Sequence, residues 1–233
     1  MGAKDVIGLM LAAIGILGGT LVACLSKRVR DIFFVGMIYL APMTENFDIN
    51  FVSRDWYRGT VRGFEFSLVD ILSLSVLFSS LLAPRRGESR GYWPASLGML
   101  LLFFFYGCFN VGMADPKLFG LFELSKMLRG VAIFLAVALF LRSEREMRLF
   151  ILALGLVTCY EGALALKQRY VDGIHRVWGT IDDSNSLSVF FCTVTPVFVA
   201  AFNSKLPKYL KAISAMAIPL GCIGVILTIS RAG

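Results

Sequence analysis

Two arginines carry the chemistry that this chain can offer. Arg176 stands in a polar stretch, His175-Arg176-Val177-Trp178-Gly179-Thr180-Ile181-Asp182-Asp183-Ser184-Asn185, between two apolar segments. Arg231 closes the last apolar segment, in Thr228-Ile229-Ser230-Arg231-Ala232-Gly233. A guanidinium group is planar, permanently charged and carries a fork of donors that matches phosphate geometry. Two such forks on one face of a membrane are what a phosphate-bearing lipid head group requires. The order and spacing of the apolar segments decide whether they share a face.

The chain has 233 residues, 57% of them hydrophobic, and a mean hydropathy of +0.74. That is too apolar for a soluble domain of this size and places the chain among polytopic membrane proteins. The expected fold is all-α, a bundle of about eight transmembrane helices forming one integral membrane domain over 1–233. The candidate spans are 6–25, 31–44, 66–83, 95–113, 118–141, 149–166, 186–202 and 212–229. The second is short and crosses only if the bilayer thins around it. Backbone groups in lipid must be paired within their own segment, hence helices.

The net charge of +7 does not point to nucleic acid, because of where the charge lies. Lys27, Arg28 and Arg30 follow the first span; Arg85, Arg86 and Arg90 the third; Arg142, Arg145 and Arg148 the fifth; Lys205, Lys208 and Lys211 the seventh. A basic cluster in every second loop is the positive-inside signature. These loops are expected in the cytoplasm, so the N-terminus, the 45–65 loop, the 114–117 link, the 167–185 loop and the C-terminus face outward, which puts Arg176 and Arg231 on one face. The aromatic residues Trp56 and Tyr57 of the first outer loop suit the membrane interface. Leu21-Val22-Ala23-Cys24 resembles a lipoprotein cleavage site, but the basic cluster follows it, which favours a retained span. The five cysteines all lie in apolar segments without metal-ligand spacing, so neither a disulfide nor a metal site is expected.

Pro94 and Pro116 suit helix starts, and Pro196 and Pro219 should kink the spans that contain them. Gly15, Gly18, Gly19, Gly221 and Gly224 are expected to let helices approach closely. An ionisable side chain at membrane depth needs a reason. Glu123, Lys126 and Arg129, at i, i+3 and i+6, lie on one helical stripe where Glu123 can pair with Lys126. The other reading is that Lys126 or Arg129 faces a polar cavity and holds an anion. Asp70 lies in the first turn of its span, where the helix dipole favours a carboxylate. Glu161 is expected to pair with Lys167 or Arg169. His175 reads as an ordinary loop residue or as a base.

At 175–185 and at the terminal Ser-Arg-Ala-Gly the chain resembles the O-antigen ligase and O-antigen polymerase family. The matching features are Arg176 followed by Trp178-Gly179-Thr180, Asn185 at the mouth of the next span, and Arg231 at the end of a later one. The resemblance implies transfer of a glycan from undecaprenyl pyrophosphate to an acceptor hydroxyl, on a glycan, a lipid A core or a protein. The place would be the outer face of a bacterial cytoplasmic membrane. It implies no cofactor, no nucleotide sugar and no metal. It assigns Arg176 and Arg231 to the phosphates as catalytic and binding groups, with Asn185, Arg169, Arg129 and Lys126 as further binding candidates. Ligase and polymerase stay equally open. Family members continue with a large outer loop whose histidine is thought to activate the acceptor; His175 is not in that place. The chain is therefore expected to be the N-terminal part of such a protein. The competing reading is a small transporter or flippase subunit, which would depend on Glu123, Lys126 or Arg129 instead.

Overall fold

A computed structural model of the chain describes residues 3–46, 48–51, 63–83 and 94–229. Eight α-helices occur among the described residues: α1 (Ala3–Leu25), α2 (Lys27–Leu40), α3 (Leu68–Leu82), α4 (Ala95–Met113), α5 (Lys117–Phe140), α6 (Glu144–Tyr170), α7 (Ser184–Asn203) and α8 (Lys208–Thr228). Each overlaps one of the eight apolar segments of the sequence, although α2 ends four residues before the 31–44 segment does. Five are long and apolar enough to cross a membrane: α1, α4, α6, α7 and α8. The 14-residue α2 and 15-residue α3 are shorter than a span needs. In the 24-residue α5 the apolar run is interrupted by Glu123, Lys126 and Arg129.

The 45–65 stretch differs from the loop expected. After a 3-10 turn (Ala41–Asn46), β1 (Asp48–Phe51) pairs antiparallel with β2 (Phe64–Ser67), from Asp48 opposite Ser67 to Phe51 opposite Phe64. Trp56, Tyr57 and the basic cluster at 85–90 lie outside the described residues.

Two compact units divide the chain, although no linker in the sequence marks a boundary. The first holds Met1–Met37 and Asn46–Arg142, the second Ile38–Glu45 and Ser143–Gly233. In the first unit, Phe34 of α2 stacks on Phe140 of α5 with centroids 3.9 Å apart, and both rings are fully buried. Gly19 keeps α1 close to α3, since a Cβ there would stand 2.5 Å from Ser75 Oγ. In the second unit, Ile151, Val194, Phe198 and Leu210 interlock α6, α7 and α8. Gly221 faces Thr195 Oγ1 at 2.5 Å from its would-be Cβ, and Gly224 lies flat against the Phe191 ring. Gly18, by contrast, has open space around it.

Helix ends follow local chemistry. Pro94 and Pro116 occupy the N-cap positions of α4 and α5. Ser143 and Glu146 form a reciprocal capping box at the start of α6: Ser143 N–H donates to Glu146 Oε2 at 3.0 Å, and Glu146 N–H to Ser143 Oγ at 3.4 Å. Pro196 and Pro219 lie inside helices that continue through them.

Candidate functional site

The 171–183 loop of the second unit, which joins α6 to α7, is fixed by α6. Gln168 and Glu161 are spaced i and i+7, two turns apart, and so share one face of that helix. Gln168 Oε1 accepts from the Trp178 and Gly179 N–H groups at 3.1 and 3.0 Å, and its Nε2 donates to the Gly179 carbonyl at 3.0 Å. Glu161 Oε2 accepts from Thr180 N–H at 3.0 Å, and Glu161 Oε1 accepts from the Thr180 hydroxyl. The Pro42 carbonyl oxygen stands 3.5 Å from that hydroxyl. Glu161 is fully buried, so these donors replace the water that a carboxylate would otherwise need. The expected pairing of Glu161 with Lys167 or Arg169 is corrected: Thr180, nineteen positions away, is nearer in space.

Gly179 is required at its place for two reasons. Its φ is +62°, which side-chain-bearing residues rarely adopt, and a Cβ there would collide with Glu161 Oε2. Next to it, Val177 is fully buried with Ala165, Leu187, Phe191 and Leu227. Its N–H points to the Leu227 carbonyl of α8 at 3.5 Å. The last carbonyls of a helix lack intrahelical donors, and this contact brings the loop to the end of α8.

Arg169 supports the outer part of the loop by donating from Nη1 to the His175 carbonyl at 2.7 Å. One edge of its guanidinium thus shapes the loop. His175 is exposed. Arg176 is exposed too and donates from Nη2 to Asn185 Oδ1 at 2.5 Å, so the two residues singled out in the sequence do meet. Asn185 lies in the first turn of α7, whose N-cap is Asp183: the Asp183 side chain accepts from Ser186 N–H at 2.7 Å. The Ser186 bonds, and to a lesser degree the charge of Arg176, hold the Asp183 carboxyl below the usual carboxylate range. A carboxyl lowered on folding stabilises the fold above its unfolded value and loses that contribution as the pH falls through the folded one. Asp183→Ala is expected to fray the first turn of α7 at neutral pH, costing about 0.5–2 kcal/mol. The difference from wild type should shrink below about pH 4; thermal unfolding in detergent at two pH values checks this.

Arg231 lies outside the described residues, four positions after Leu227 in the sequence. Arg129 and Lys126 belong to the first unit. Lys126 is exposed. Arg129 is not held within the Glu123–Lys126–Arg129 stripe. Its Nε donates to Asp70 Oδ1 at 2.9 Å and its Nη2 to the Glu65 carbonyl at 2.7 Å, with the Glu65 carboxylate 4.0 Å from Nη1. Asp70 is itself fixed at the first turn of α3 by Ser67 N–H and Oγ, at 2.6 and 3.0 Å.

Fold and site together describe a helical chain with five helices long and apolar enough to cross a membrane and an arginine-bearing loop locked to one of them. Comparison of the chain with protein-family models, with characterised proteins and with solved structures finds no match.

Proposed function

We propose that this chain serves glycan transfer from undecaprenyl pyrophosphate at the outer face of a bacterial cytoplasmic membrane, as an O-antigen ligase or polymerase does. The acceptor hydroxyl oxygen attacks the anomeric carbon and the bond from that carbon to the pyrophosphate oxygen breaks. The hydroxyl proton leaves to a base. Negative charge grows on the departing pyrophosphate, and cations fixed beforehand stabilise that charge more in the transition state than in the ground state. Arg176 and Arg231 have that role in this reading, with the basic clusters in the cytoplasm and the N-terminus outside.

The observation that supports it best is the locked loop. Arg176 is solvent-exposed on a backbone that Gln168, Glu161 and Val177 pin to α6 and α8. Pre-organisation of this kind is what an electrostatic role needs, since a mobile cation would lose entropy on binding. Arg176→Ala and Arg231→Ala are each expected to weaken binding of farnesyl pyrophosphate to the purified chain in nanodiscs by about 10–100-fold, as for lost charge-assisted bonds. Binding of farnesol should not change. Wild-type diphosphate affinity in both variants would end the reading.

The transporter or flippase reading has one observation in its favour, the Arg129–Asp70 pair buried between helices of the first unit. It would be favoured if a transport phenotype followed Arg129 while Arg176→Ala had none.

A further inference from the structure

The second unit gathers basic side chains at one end of α6, α7 and α8, three helices long and apolar enough to cross a membrane. Ile213 stands beside Gly155 and Leu220 beside Gly162, so α6 and α8 run parallel, each residue of α6 level with the one 58 positions later in α8. Arg145 and Arg148 are thereby level with Asn203 and Leu206, between the end of α7 and the start of α8. Lys205, Lys208 and Lys211 lie in the same stretch, and the five basic residues occupy a layer about 12 Å deep at about 1.5 Å per residue. Arg145, Lys205 and Lys208 are exposed, and Arg148 and Lys211 are half-buried. The acidic residues of this layer are Glu144 and Glu146, which leaves it a net charge of +3. Both carboxylates are engaged: Arg148 Nη2 donates to Glu144 at 2.6 Å, and the fully buried Glu146 accepts from Ser143 N–H at 3.0 Å. Insertion alone accounts for basic residues at such an end, but it needs no defined backbone. Here the backbone is fixed. Ser204 donates to the Ala201 carbonyl from N–H at 3.2 Å and from its hydroxyl at 2.6 Å. Leu206 packs on the core around Ile151 and Leu210, and the N–H groups of Leu210 and Lys211 reach the Pro207 carbonyl at 3.0 and 3.2 Å. Lys205 and Lys208 flank this anchored turn, and the exposed Tyr209 is close enough to Arg148 to act on it electrostatically.

We propose that this layer binds the phosphodiester head of an anionic glycerophospholipid. This goes beyond the glycan-transfer reading and does not depend on it, since the Arg176 loop follows the far end of the 27-residue α6, about 40 Å along its axis. Charge selects the head. An excess of three positive charges attracts an anion, whereas a phosphatidylcholine head brings an ammonium group as well as a phosphate. Ammonium, guanidinium and phenol groups are all donors to phosphate oxygens. Depth selects a lipid over a soluble anion. The layer lies where apolar helices end, which is the level of the lipid phosphates, and basic pockets between helices at that level suit anionic heads. The tail has a path too. Tyr209, Met216 and Ile223, seven positions apart and all exposed, form one stripe of α8 that leads from the layer into the apolar region.

The test uses the full chain in neutral detergent, mixed with equal amounts of phosphatidylglycerol and phosphatidylcholine of the same acyl chains, with bound lipid counted by native mass spectrometry. Phosphatidylglycerol should be retained at least about tenfold better. Lys205→Gln combined with Lys208→Gln should bring the two lipids close to parity, at about fivefold for each charge lost. Lys208→Gln alone, with its share of about fivefold, serves should the double variant fail to fold. Lys27→Gln combined with Arg28→Gln removes as much charge from the basic cluster of the first unit and should leave the preference unchanged. Equal retention of both lipids by the wild type, or an undiminished preference in the folded lysine variants, would overturn the site. An equal loss in the Lys27 and Arg28 variant would mean attraction to overall charge and would overturn it as well. Displacement of the lipid by millimolar glycerol 3-phosphate would assign the layer to a soluble anion instead. The effect of Arg176→Ala on diphosphate binding is unaffected by any of these results.

Discussion

Glu161→Ala is expected to release the 171–183 loop from α6 while leaving the helix itself intact. The alanine removes the acceptor for both the backbone N–H and the hydroxyl of Thr180 and is itself a good helix former. A hydrogen bond to a charged group contributes about 1.5–3 kcal/mol, and a buried donor left unpaired costs a further share. A local loss of about 3 kcal/mol is the result, which corresponds to roughly a hundredfold faster hydrogen exchange at Trp178, Gly179 and Thr180. Glu161→Gln should fall between the two, because its amide oxygen can accept from Thr180 N–H while its NH₂ donates to the hydroxyl oxygen. Exchange rates at wild-type level in Glu161→Ala would show that Gln168 and Val177 hold the loop unaided. The consequence for ligand follows: a loosened Arg176 should bind farnesyl pyrophosphate more weakly although no atom of the arginine has changed.

The helices were legible because their signals are local. The 95–113 and 118–141 segments are bounded by prolines, and the observed helices begin right after Pro94 and Pro116. The sequence Ser143-Glu144-Arg145-Glu146 carries the capping box that starts α6. Of the eight apolar segments, five form helices long and apolar enough to cross a membrane, while the helices α2 and α3 are short and the apolar run of α5 is broken by charge. The hairpin was not legible. Its strands of four residues pair across an intervening stretch, and runs that short carry no clear alternation.

The site was half legible for the same reason. Arg176 and Asn185 lie close in sequence and do meet. The Glu161–Thr180 and Gln168–Gly179 bonds depend on the loop folding back over α6, and local spacing favoured Lys167 and Arg169 as partners. One signal was present: two polar residues at i and i+7 in an otherwise apolar helix mark a stripe that something polar must cover. Arg129 makes the complementary point. The sequence showed only that Arg129 shares a stripe of α5 with Lys126 and Glu123, yet Asp70, 59 positions earlier, holds the guanidinium. A cap residue already fixed at the first turn of α3 gives a better-oriented acceptor than a flexible neighbour.

That pairing sets the second large effect. Arg129→Ala should destabilise the first unit by about 3–5 kcal/mol, because it leaves the buried Asp70 carboxylate without its counter-ion. It also removes the donor to the Glu65 carbonyl, so β2 loses a tie to α5. Asp70→Asn should cost less. The amide keeps an oxygen for Arg129 or for Ser67 but not for all three donors that the carboxylate now accepts. Combining Asp70→Asn with Arg129→Met removes both charges and keeps much of the stem's packing. The double variant should therefore be more stable than Arg129→Ala, with the two sites coupled by more than about 1 kcal/mol. Thermal midpoints in one detergent, measured for Asp70→Asn, Arg129→Met and their combination, give that coupling. Additive single effects would mean that the two side chains stabilise the unit independently.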